Sequence, residues 1–264
     1  MPRFRMLVAY DGTDFHGWQR QEPPEREPLR TVQGVLDIAA REALRAPVTV
    51  IGASRTDAGV HAVGQVASFM TETRIPVDRV CMAITSRLPP DVQVSNARIV
   101  RDDFDPISDA LSKSYRYTIC IPAEGRTVPA IFDRRFVYWQ FLKLDVGRMH
   151  DAAQRLVGEH DFAAFAHAAH GKESTVRRIH QCSVTSPSPG RIHIDVAGGG
   201  FLYNMVRIIA GTLLDVGRGR MTPAGLGEAI PSLDRRRTGQ TLPPHGLCLR
   251  WIHYGGRDQL DLDV

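Results

Sequence analysis

The sequence has few cysteines, and they lie far apart. The chain of 264 residues has four, which form no Cys-x-x-Cys pair: Cys81, Cys120, Cys182 and Cys248. Neither a zinc site nor a framework of disulfides is predicted from such spacing. We therefore expect reduced thiols, as in an intracellular protein.

Long hydrophobic runs are also missing. The N-terminus, from Met1 to Val8, is strand-like and has neither the apolar core nor the cleavage site of a secretory signal. No run approaches the length that crosses a bilayer. These absences predict a cytoplasmic protein that does not associate with a membrane.

Motifs for a nucleotide cofactor are absent. The chain contains neither GxxxxGKS nor GxxxxGKT, and the run Gly198 to Gly200 fails the GxGxxG pattern because Tyr203 occupies the place of the third glycine. His167 and His170 are spaced i,i+3, but no carboxylate or cysteine is grouped beside them. A solvated helical face is the better interpretation of these histidines, so we expect neither a nucleotide cofactor nor a metal.

Lysine is scarce. Only three of the 33 basic residues are lysines, so arginine carries almost all of the positive charge. Arginine suits bidentate phosphate contacts and base stacking, and a net charge of +4 permits a polyanionic partner without requiring one. A compositional bias that also raises alanine and glycine explains the excess equally well, so this feature decides little.

What the chain does contain is a pattern of period-two runs between amphipathic helices. Strands are predicted at Phe4–Tyr10, Ser114–Ile119 and Ile192–Val196, and helices at Val32–Ala43 with Thr31 as its cap, Met149–Leu156 and Phe201–Leu214. With 43% hydrophobic residues, the chain can bury roughly three quarters of its unfolded surface. We predict an α+β protein with largely antiparallel sheets flanked by helices.

The order of strand, helix and strands occurs twice, which indicates two similar halves. The polar, proline-containing stretch from Asp102 to Ser112 marks the boundary between them. We predict an N-terminal domain at residues 1–105 and a C-terminal domain at residues 106–264. A second proline-rich stretch, Gln21 to Arg30, is predicted to be an exposed loop.

A loop bounded by glycines, at residues 52–64, holds Arg55 and Asp57 between two strand-like runs, Val48–Ile51 and Gln65–Phe69. Functional side chains concentrate on loops that a rigid scaffold supports. Taken alone, however, a short polar loop with an aspartate and an arginine is more often a salt-bridged turn than a catalytic site. The wider sequence decides between the two.

Six blocks of this sequence resemble the TruA family of tRNA pseudouridine synthases, in the same order, from about residue 6 to about residue 254. The blocks are Tyr10–Gln21, Arg55–Ala62, Ser114–Tyr117, Gly158–Phe162, Phe201–Gly211 and Pro243–Leu247. The second block resembles the family's catalytic-loop signature. Six ordered blocks are far more specific than a single motif.

The resemblance implies an isomerase that converts uridine to pseudouridine in the anticodon stem-loop of tRNA, at positions 38 to 40. It further implies two α+β halves with the active-site cleft between them, and no cofactor, since the reaction is redox-neutral. The family is typically a homodimer, which would let one tRNA span both subunits.

Roles for five residues follow from the resemblance and from the chemistry that it implies. Asp57 is the essential carboxylate, which acts as a nucleophile, as an electrostatic stabiliser or as a base toward a ribose proton. Arg207 is its charged partner, and Tyr115 packs against the target uracil and handles its C5 proton. Arg55 fills the gap left by the flipped base, and Leu247 helps to wall the pocket. Periodicity alone fits a solvent-facing Arg207 almost equally well. Taken alone, Tyr115 is an ordinary strand aromatic, and a core leucine is the simpler interpretation of Leu247.

Two other functions stay open from the sequence. One is a catalytically idle RNA-binding or chaperone protein of the same fold, and the other is a carboxylate-dependent nucleoside or glycoside hydrolase. Retention of Asp57, Tyr115 and Arg207 argues against the first. Against the second stands the lack of an identifiable second carboxylate, although three aspartates are available for that role: Asp11, Asp14 and Asp91.

The predicted RNA-docking surface is less well defined. Where many relatives have an arginine after the phenylalanine of an FxxR-like block, this chain has Ile107, so that contact is absent or supplied by Lys113. The Gln21–Arg30 loop is either a neutral insertion or an element near the RNA. Several surface arginines could bind phosphates: Arg20, Arg177, Arg178 and Arg235–Arg237. Solvated charge clusters are the simpler explanation for each of them.

Overall fold

The computed structural model of the chain describes residues 1–22, 24, 27–123, 128–129, 131–167 and 173–256. The strands are β1 (Arg3–Tyr10), β2 (Ile51–Gly52), β3 (His61–Met70), β4 (Val92–Val100), β5 (Ala110–Cys120), β6 (Tyr138–Trp139), β7 (Gly158–Asp161), β8 (Val176–Ser188), β9 (Arg191–Gly198) and β10 (Leu247–Tyr254). The α-helices are α1 (Val32–Leu44), α2 (Val77–Thr85), α3 (Val146–Gln154), α4 (Met205–Gly217) and α5 (Pro223–Ser232). Short 3-10 helices lie at Ala163–Phe165, Arg235–Arg237 and Pro244–Gly246.

The chain divides into two units, each with helices and antiparallel strands, which confirms the predicted α+β class. The first unit consists of Met1–Leu111 and the described residues of Leu249–Val264, and the second consists of Ser112–Cys248. The domain limits predicted from the sequence, 1–105 and 106–264, stay a prediction. Most of the last strand, β10, belongs to the first unit.

In the first unit the strand order is β4-β1-β3-β10, and β2 pairs with β3. Strand β1 is antiparallel to both β3 and β4, so it lies in the middle of this part of the sheet. Phe4 of β1 is the register partner of Phe69 of β3, and their rings stack with centroids 5.4 Å apart. The strand predicted at Phe4–Tyr10 is therefore confirmed, and it contributes a buried face to the core.

Helix α1 begins where the sequence predicted. The side chain of Thr31 accepts a hydrogen bond from the backbone N–H of Gly34 at 3.3 Å, and such a cap contributes about 1 kcal/mol to helix stability. The apolar stripe buries Val32 and Leu36 completely. The helix ends before Arg45, which adopts the left-handed conformation with φ of 52°.

In the second unit the strand order is β5-β9-β8-β7, with β6 parallel to β5. The strands predicted at Ser114–Ile119 and Ile192–Val196 are confirmed as parts of β5 and β9, which pair antiparallel. Helix α3 contacts β8 of this sheet as well as helices α4 and α5. Its first turn is capped by Asp145, which accepts from the backbone N–H of Arg148.

Helix α4 begins at Met205, four residues later than the sequence predicted. The reason is the preceding residue, Asn204, whose φ of 61° lies in the left-handed region and interrupts a right-handed helix. Eleven of the thirteen residues of α4 are buried, and the two exceptions are Arg207 and Asp215. An almost fully buried helix is a rigid support for the arginine that it carries.

Within the described residues, no helix combines the length and apolar character needed to cross a membrane. The same part of the chain holds no group of three or more His, Cys, Asp or Glu side chains that could bind a metal ion. The helical face predicted for His167 is wrong, because the backbone becomes extended at Ala166 after the short 3-10 helix. His170 lies outside the described residues.

Candidate active site

Asp57 lies on an irregular segment between β2 and β3. Its side chain is half-buried, whereas Thr56 before it is buried and Arg55 is exposed. The backbone carbonyl of Asp57 accepts from the N–H of Val60 at 3.1 Å, which closes a tight turn after the carboxylate. The loop predicted from the glycines is therefore present, and its path brings Asp57 to the start of β3.

The chain enters this loop without the strand predicted at Val48–Ile51. Only Ile51 and Gly52 pair with β3, because side chains from α1 satisfy the preceding backbone. The N–H of Val50 donates to Asp37 Oδ1 at 2.8 Å, its carbonyl accepts from Gln33 Nε2 at 2.8 Å, and the carbonyl of Val48 accepts from Arg41 Nε at 2.7 Å.

Burial raises the pKa of the Asp37 carboxyl, although its bond to the N–H of Val50 acts in the opposite direction. The carboxylate is 2% exposed and lies 3.5 Å from Arg20 Nη1. Side chains of α1 thus replace a neighbouring strand as hydrogen-bond partners of Val48 and Val50, which lie just before the loop of Asp57.

Gln65 braces the first half of the loop from β3. This side chain is completely buried, and its Oε1 accepts from the backbone N–H of Ser54 at 3.1 Å and of Val66 at 3.2 Å. Its Nε2 donates to the carbonyl of Ser54 at 2.5 Å. A buried amide that bonds both backbone groups of one loop residue prevents that residue from rotating.

The N-terminal block Tyr10–Gln21 lies against the second half of the loop. The N–H of Trp18 donates to the carbonyl of Thr56 at 3.1 Å, and the hydroxyls of Tyr10 and Thr56 are 2.8 Å apart. Gly17 has a φ of 91°, and a Cβ at this position would lie 2.7 Å from the carbonyl oxygen of Thr56. Two motifs that lie far apart in the sequence therefore form one local structure.

The other carboxylates considered from the sequence have structural partners. Asp11 Oδ1 accepts from the backbone N–H of Thr13 at 3.0 Å and from its hydroxyl at 2.6 Å. Asp91 Oδ1 accepts from Arg30 Nη2 at 2.9 Å. Asp14 is exposed. The Asp11 carboxylate therefore stabilises the turn after β1, and the Asp91 carboxylate forms an ion pair with Arg30, so both have a structural role.

Arg207 does not face open solvent, although the periodicity of its helix is compatible with a solvent-facing position. Its guanidinium is part-buried, with Nε donating to the carbonyl of Leu242 at 2.7 Å and Nη1 to Asn204 Oδ1 at 2.7 Å. The N–H of Leu242 in turn donates to the carbonyl of Arg207 at 3.3 Å. These bonds fix the plane of the guanidinium, and a planar cation of fixed orientation suits recognition of a carboxylate.

Close packing holds the segment Gly239–Leu242 against α4. A Cβ on Gly211 would lie 1.9 Å from the carbonyl oxygen of Gln240, so only a glycine allows the two backbones to approach this closely. The N–H of Gly239 donates to the hydroxyl of Thr212 at 2.9 Å. The position of the carbonyl that orients Arg207 therefore depends on packing along the helix.

Leu247 follows this segment and begins β10. It is 5% exposed, which fits either a core leucine or a pocket wall. The hydroxyl of Tyr117 donates to the carbonyl of Pro243 at 2.8 Å, and Gly246 lies against the Tyr117 ring. Burial raises the pKa of the Tyr117 phenol well above its ordinary value, so the hydroxyl keeps its proton and remains a donor.

Tyr115 lies on β5 opposite Val196 of β9. Its ring is 6% exposed and meets Phe201 edge to face, with centroids 5.4 Å apart. Tyr117, two residues along the strand, points to the same face of the sheet. Tyr115, Arg207 and Leu247 therefore belong to the second unit, whereas Asp57 and Arg55 belong to the first.

The sequence did not identify the residues that support this site. Gln65 and Tyr117 bond to groups that are distant in the sequence, and Asn204 adopts a left-handed conformation that the sequence did not predict. One signal was available for Gln65, since a polar amide inside a run of apolar strand residues normally has a specific buried partner. No comparable signal marked Tyr117, which reads as an ordinary strand aromatic.

The surface arginines are mostly engaged with acidic or backbone partners. Arg20 pairs with Glu22, Arg178 with Glu159, Arg236 with Asp234 and Arg237 with Glu228. Arg177 donates to the carbonyls of Ser174 and Val176, and Arg235 donates to Thr238 and Thr241. This pattern is typical of solvated charge clusters.

Two elements of the predicted RNA-docking surface lie wholly or partly within the described residues: the Ile107 and Lys113 positions, and the Gln21–Arg30 loop. Ile107 is exposed, and its N–H donates to Asp105 Oδ1 at 2.8 Å in a turn that the N–H of Ser108 also stabilises. Lys113 on β5 is half-buried. Residues 23, 25 and 26 of the predicted Gln21–Arg30 loop lie outside the described part of the chain, and the remainder of that loop contains no helix or strand.

The chain is similar to known proteins over most of its length. Residues 6–107 and 152–255 match a family model described as tRNA pseudouridine synthase. Relatives named tRNA pseudouridine synthase A from Ruminiclostridium cellulolyticum and Moorella thermoacetica are each 41% identical over 254 residues, which span 96% of this chain and 100% of the relative. A solved H/ACA ribonucleoprotein bound to a substrate RNA containing 2′-deoxyuridine is 11% identical, with 97% of this chain and 49% of that chain covered and a TM-score of 0.33.

Proposed function

Since the chain belongs to the tRNA pseudouridine synthase family, we propose that Asp57 is the carboxylate on which its isomerisation of tRNA uridine to pseudouridine depends. The observation that carries this proposal is the loop itself. Asp57 is half-buried on a segment whose neighbouring residues, Ser54 and Thr56, are each held by hydrogen bonds. A reactive carboxylate requires such a fixed position.

The reaction changes the atom through which uracil is joined to ribose. The bond between N1 and C1′ breaks, a bond between C5 and C1′ forms, the proton on C5 leaves, and N1 gains a proton. Because nothing is oxidised or reduced, the chemistry requires no electron carrier. Positive character develops on the ribose as uracil departs, and a nearby anion stabilises it.

Asp57 can meet this demand in three ways. It can stabilise the developing charge, attack C1′ to form a covalent intermediate, or remove a ribose proton. All three require an ionised carboxylate. We assign Arg207 as the partner that favours this ionised form, because its guanidinium is oriented by Leu242 and Asn204 and carries a permanent charge.

Tyr115 is the proposed contact to the target uracil, which it packs against and from which it accepts or relays the C5 proton. Its fixed edge-to-face contact with Phe201 supports this role, since a ring held in one orientation offers a defined surface to a base. Leu247 is the proposed apolar wall of the same pocket. Arg55, exposed and two residues before Asp57, is proposed to occupy the space of the flipped base.

The anticodon stem-loop is the proposed region of the tRNA, because the six sequence blocks resemble those of family members that act there. We further propose a cytoplasmic homodimer in which one tRNA contacts both subunits. The abundance of arginine is compatible with phosphate contacts, and these would weaken steeply as salt is raised.

The test is pseudouridine formation in an unmodified tRNA transcript, with no cofactor added and with free uracil measured in parallel. We expect pseudouridine confined to the anticodon arm and no uracil release. Pseudouridine elsewhere in the tRNA would overturn the proposed region. Release of uracil in place of pseudouridine would indicate hydrolysis and overturn the assignment of Asp57 to isomerisation.

A further inference from the structure

The block Tyr10–Gln21 has no part in the proposed chemistry, yet it makes much of the contact with the loop of Asp57. The N–H of Trp18 donates to the carbonyl of Thr56 at 3.1 Å, and the N–H of Gly59 donates to the carbonyl of Phe15 at 3.3 Å. These contacts lie on both sides of Asp57 in the sequence. The block therefore forms the support on which the carboxylate is mounted.

The contact between Tyr10 and Thr56 is the most specific of these. Tyr10 is the last residue of β1 and pairs with Ala62 of β3, so the sheet fixes its position. Its hydroxyl lies 2.8 Å from Thr56 Oγ1, and either group can be the donor. The two residues are 5% and 7% exposed, so water cannot readily replace the bond if one partner is removed.

Thr56 is thereby held at two points, its carbonyl by Trp18 and its hydroxyl by Tyr10. A residue fixed at its backbone and its side chain has little freedom to rotate. Because Asp57 follows directly, the direction of its Cα–Cβ bond depends on the same peptide. A hydrogen-bonded strand would supply this restraint automatically, but the loop has no ladder partner at this position.

We propose that Tyr10 is a positioning residue for the isomerisation: through its hydrogen bond to Thr56, it sets the orientation of the Asp57 carboxylate. This inference rests on the proposed function of Asp57. Tyr10 acts through Thr56 and takes no part in bond making or breaking. Its loss should slow the chemical step and leave tRNA binding unchanged.

The test compares Tyr10→Phe with wild type in single-turnover pseudouridine formation, together with KM and Tm. Tyr254→Phe is the matched control, because Tyr254 is also a buried tyrosine of the first unit, and its hydroxyl donates a hydrogen bond to the carbonyl of Pro106 at 2.7 Å. We expect Tyr10→Phe to reduce the single-turnover rate by about ten- to a hundred-fold. KM should stay within about two-fold, and Tyr254→Phe should keep the wild-type rate with a similar shift in Tm.

Substitutions at Thr56 test the same bond from its other end. Thr56→Val removes the hydroxyl at nearly constant shape and should lose as much rate as Tyr10→Phe, whereas Thr56→Ser keeps the hydroxyl and should retain the wild-type rate. The double variant Tyr10→Phe/Thr56→Val should be no slower than the slower single variant, since both remove one interaction. Independent, multiplicative losses would overturn the proposal.

Asp57→Asn belongs in the same series, because it tests the role of Asp57 separately from the role of Tyr10. If Asp57→Asn is inactive and Tyr10→Phe is as fast as wild type, Asp57 keeps its proposed role and the inference about Tyr10 is wrong. An equal rate loss in Tyr10→Phe and Tyr254→Phe also overturns the inference, because it indicates general destabilisation. An active Asp57→Asn removes the premise itself.

Discussion

The loop that carries Asp57 and the helix that carries Arg207 hold their charged side chains by different means. Around Asp57 the backbone is irregular, and separate polar contacts fix it: Gln65 on Ser54, and Tyr10 and Trp18 on Thr56. Arg207 stands on a helix whose other residues, except Asp215, are buried, and two oxygen acceptors orient its guanidinium.

Because of this difference, we expect the loop of Asp57 and the helix of Arg207 to be sensitive to different kinds of mutation. A loop fixed by single hydrogen bonds should lose rate when one bond or one close backbone contact is disturbed, even where the fold survives. A helix fixed by packing should lose stability when its packing is disturbed, and lose rate when the guanidinium itself is changed. The following substitutions test this contrast.

The largest effect on the helix side is expected from Arg207→Lys. Lysine keeps the charge but cannot bond Leu242 and Asn204 together from one rigid plane. We expect the single-turnover rate to fall roughly 10²- to 10³-fold, the range found when one stabilising donor is removed from an active site. Arg220→Lys, an exposed arginine beyond the end of the same helix, should keep the wild-type rate. A fully active Arg207→Lys would show that charge alone suffices.

On the loop side, we expect Gly17→Ala to lower the rate of catalysis more than Gly211→Ala, the glycine substitution on the helix side. The new Cβ would lie 2.7 Å from the carbonyl of Thr56 at a φ of 91°. We expect about a ten- to hundred-fold lower single-turnover rate and a stability loss of roughly 1–3 kcal/mol in urea unfolding.

Gly219→Ala is the control for Gly17→Ala, because Gly219 has a similar φ of 76° but no atom within 4 Å of the added Cβ. It should show the backbone strain without the loss of rate. Equal rate losses in the two variants would remove the link between the Thr56 contact and catalysis.

Gly211→Ala should act mainly on stability. Its Cβ would lie 1.9 Å from the carbonyl oxygen of Gln240, so the segment that follows must move away from α4. We expect a loss of about 1–3 kcal/mol in urea unfolding, with a smaller loss of rate than in Gly17→Ala. Gly147→Ala, where the nearest atom is at 3.4 Å, should cost no stability. A Gly211→Ala variant that is stable but inactive would contradict the contrast.

The smallest effects are expected from two carboxylate substitutions, and the first of these is Asp37→Asn. Because burial raises the pKa of this carboxyl, its contribution to stability is fully present below the unfolded pKa of about 3.9 and is lost as pH rises through the folded pKa. Asparagine retains an oxygen to accept from the N–H of Val50. The Tm of the variant should therefore fall less than that of wild type between pH 4 and pH 7.

Asp105→Asn should show the opposite pH dependence. The N–H groups of Ser108 and Ile107 lower the pKa of the Asp105 carboxyl, so its stabilisation is present above the unfolded pKa and is lost as pH falls through the folded pKa. Its replacement should lower Tm at pH 7 more than at pH 3. Parallel pH profiles for the two variants would indicate that neither carboxyl controls the effect.

The same contrast separates what the sequence predicted from what it could not. Strands β1, β5 and β9 and helix α1 have simple periods and a recognisable cap, so local pattern sufficed for them. The strand predicted at Val48–Ile51 was largely wrong, because side chains of α1 took the place of a ladder partner. Local pattern carries no information about a backbone group satisfied by a distant side chain.

The predicted start of α4 was also wrong, since nothing in the run Phe201–Leu202–Tyr203 predicts the left-handed conformation of Asn204. Asp57, Tyr115 and Arg207 were predicted as site residues only through the resemblance of their blocks, because each has an ordinary explanation taken alone. The supporting partners of these residues, such as Tyr117 and Gln65, became visible only with the fold. Their roles depend on contacts across long sequence separations.

The most direct test of the central claim is the single-turnover rate of Asp57→Asn on an unmodified tRNA, with tRNA binding measured on the same preparation. Asparagine removes the charge while nearly preserving the shape of the side chain. We predict a folded protein that binds tRNA as tightly as wild type and forms no detectable pseudouridine. Pseudouridine formation at the wild-type rate would contradict it.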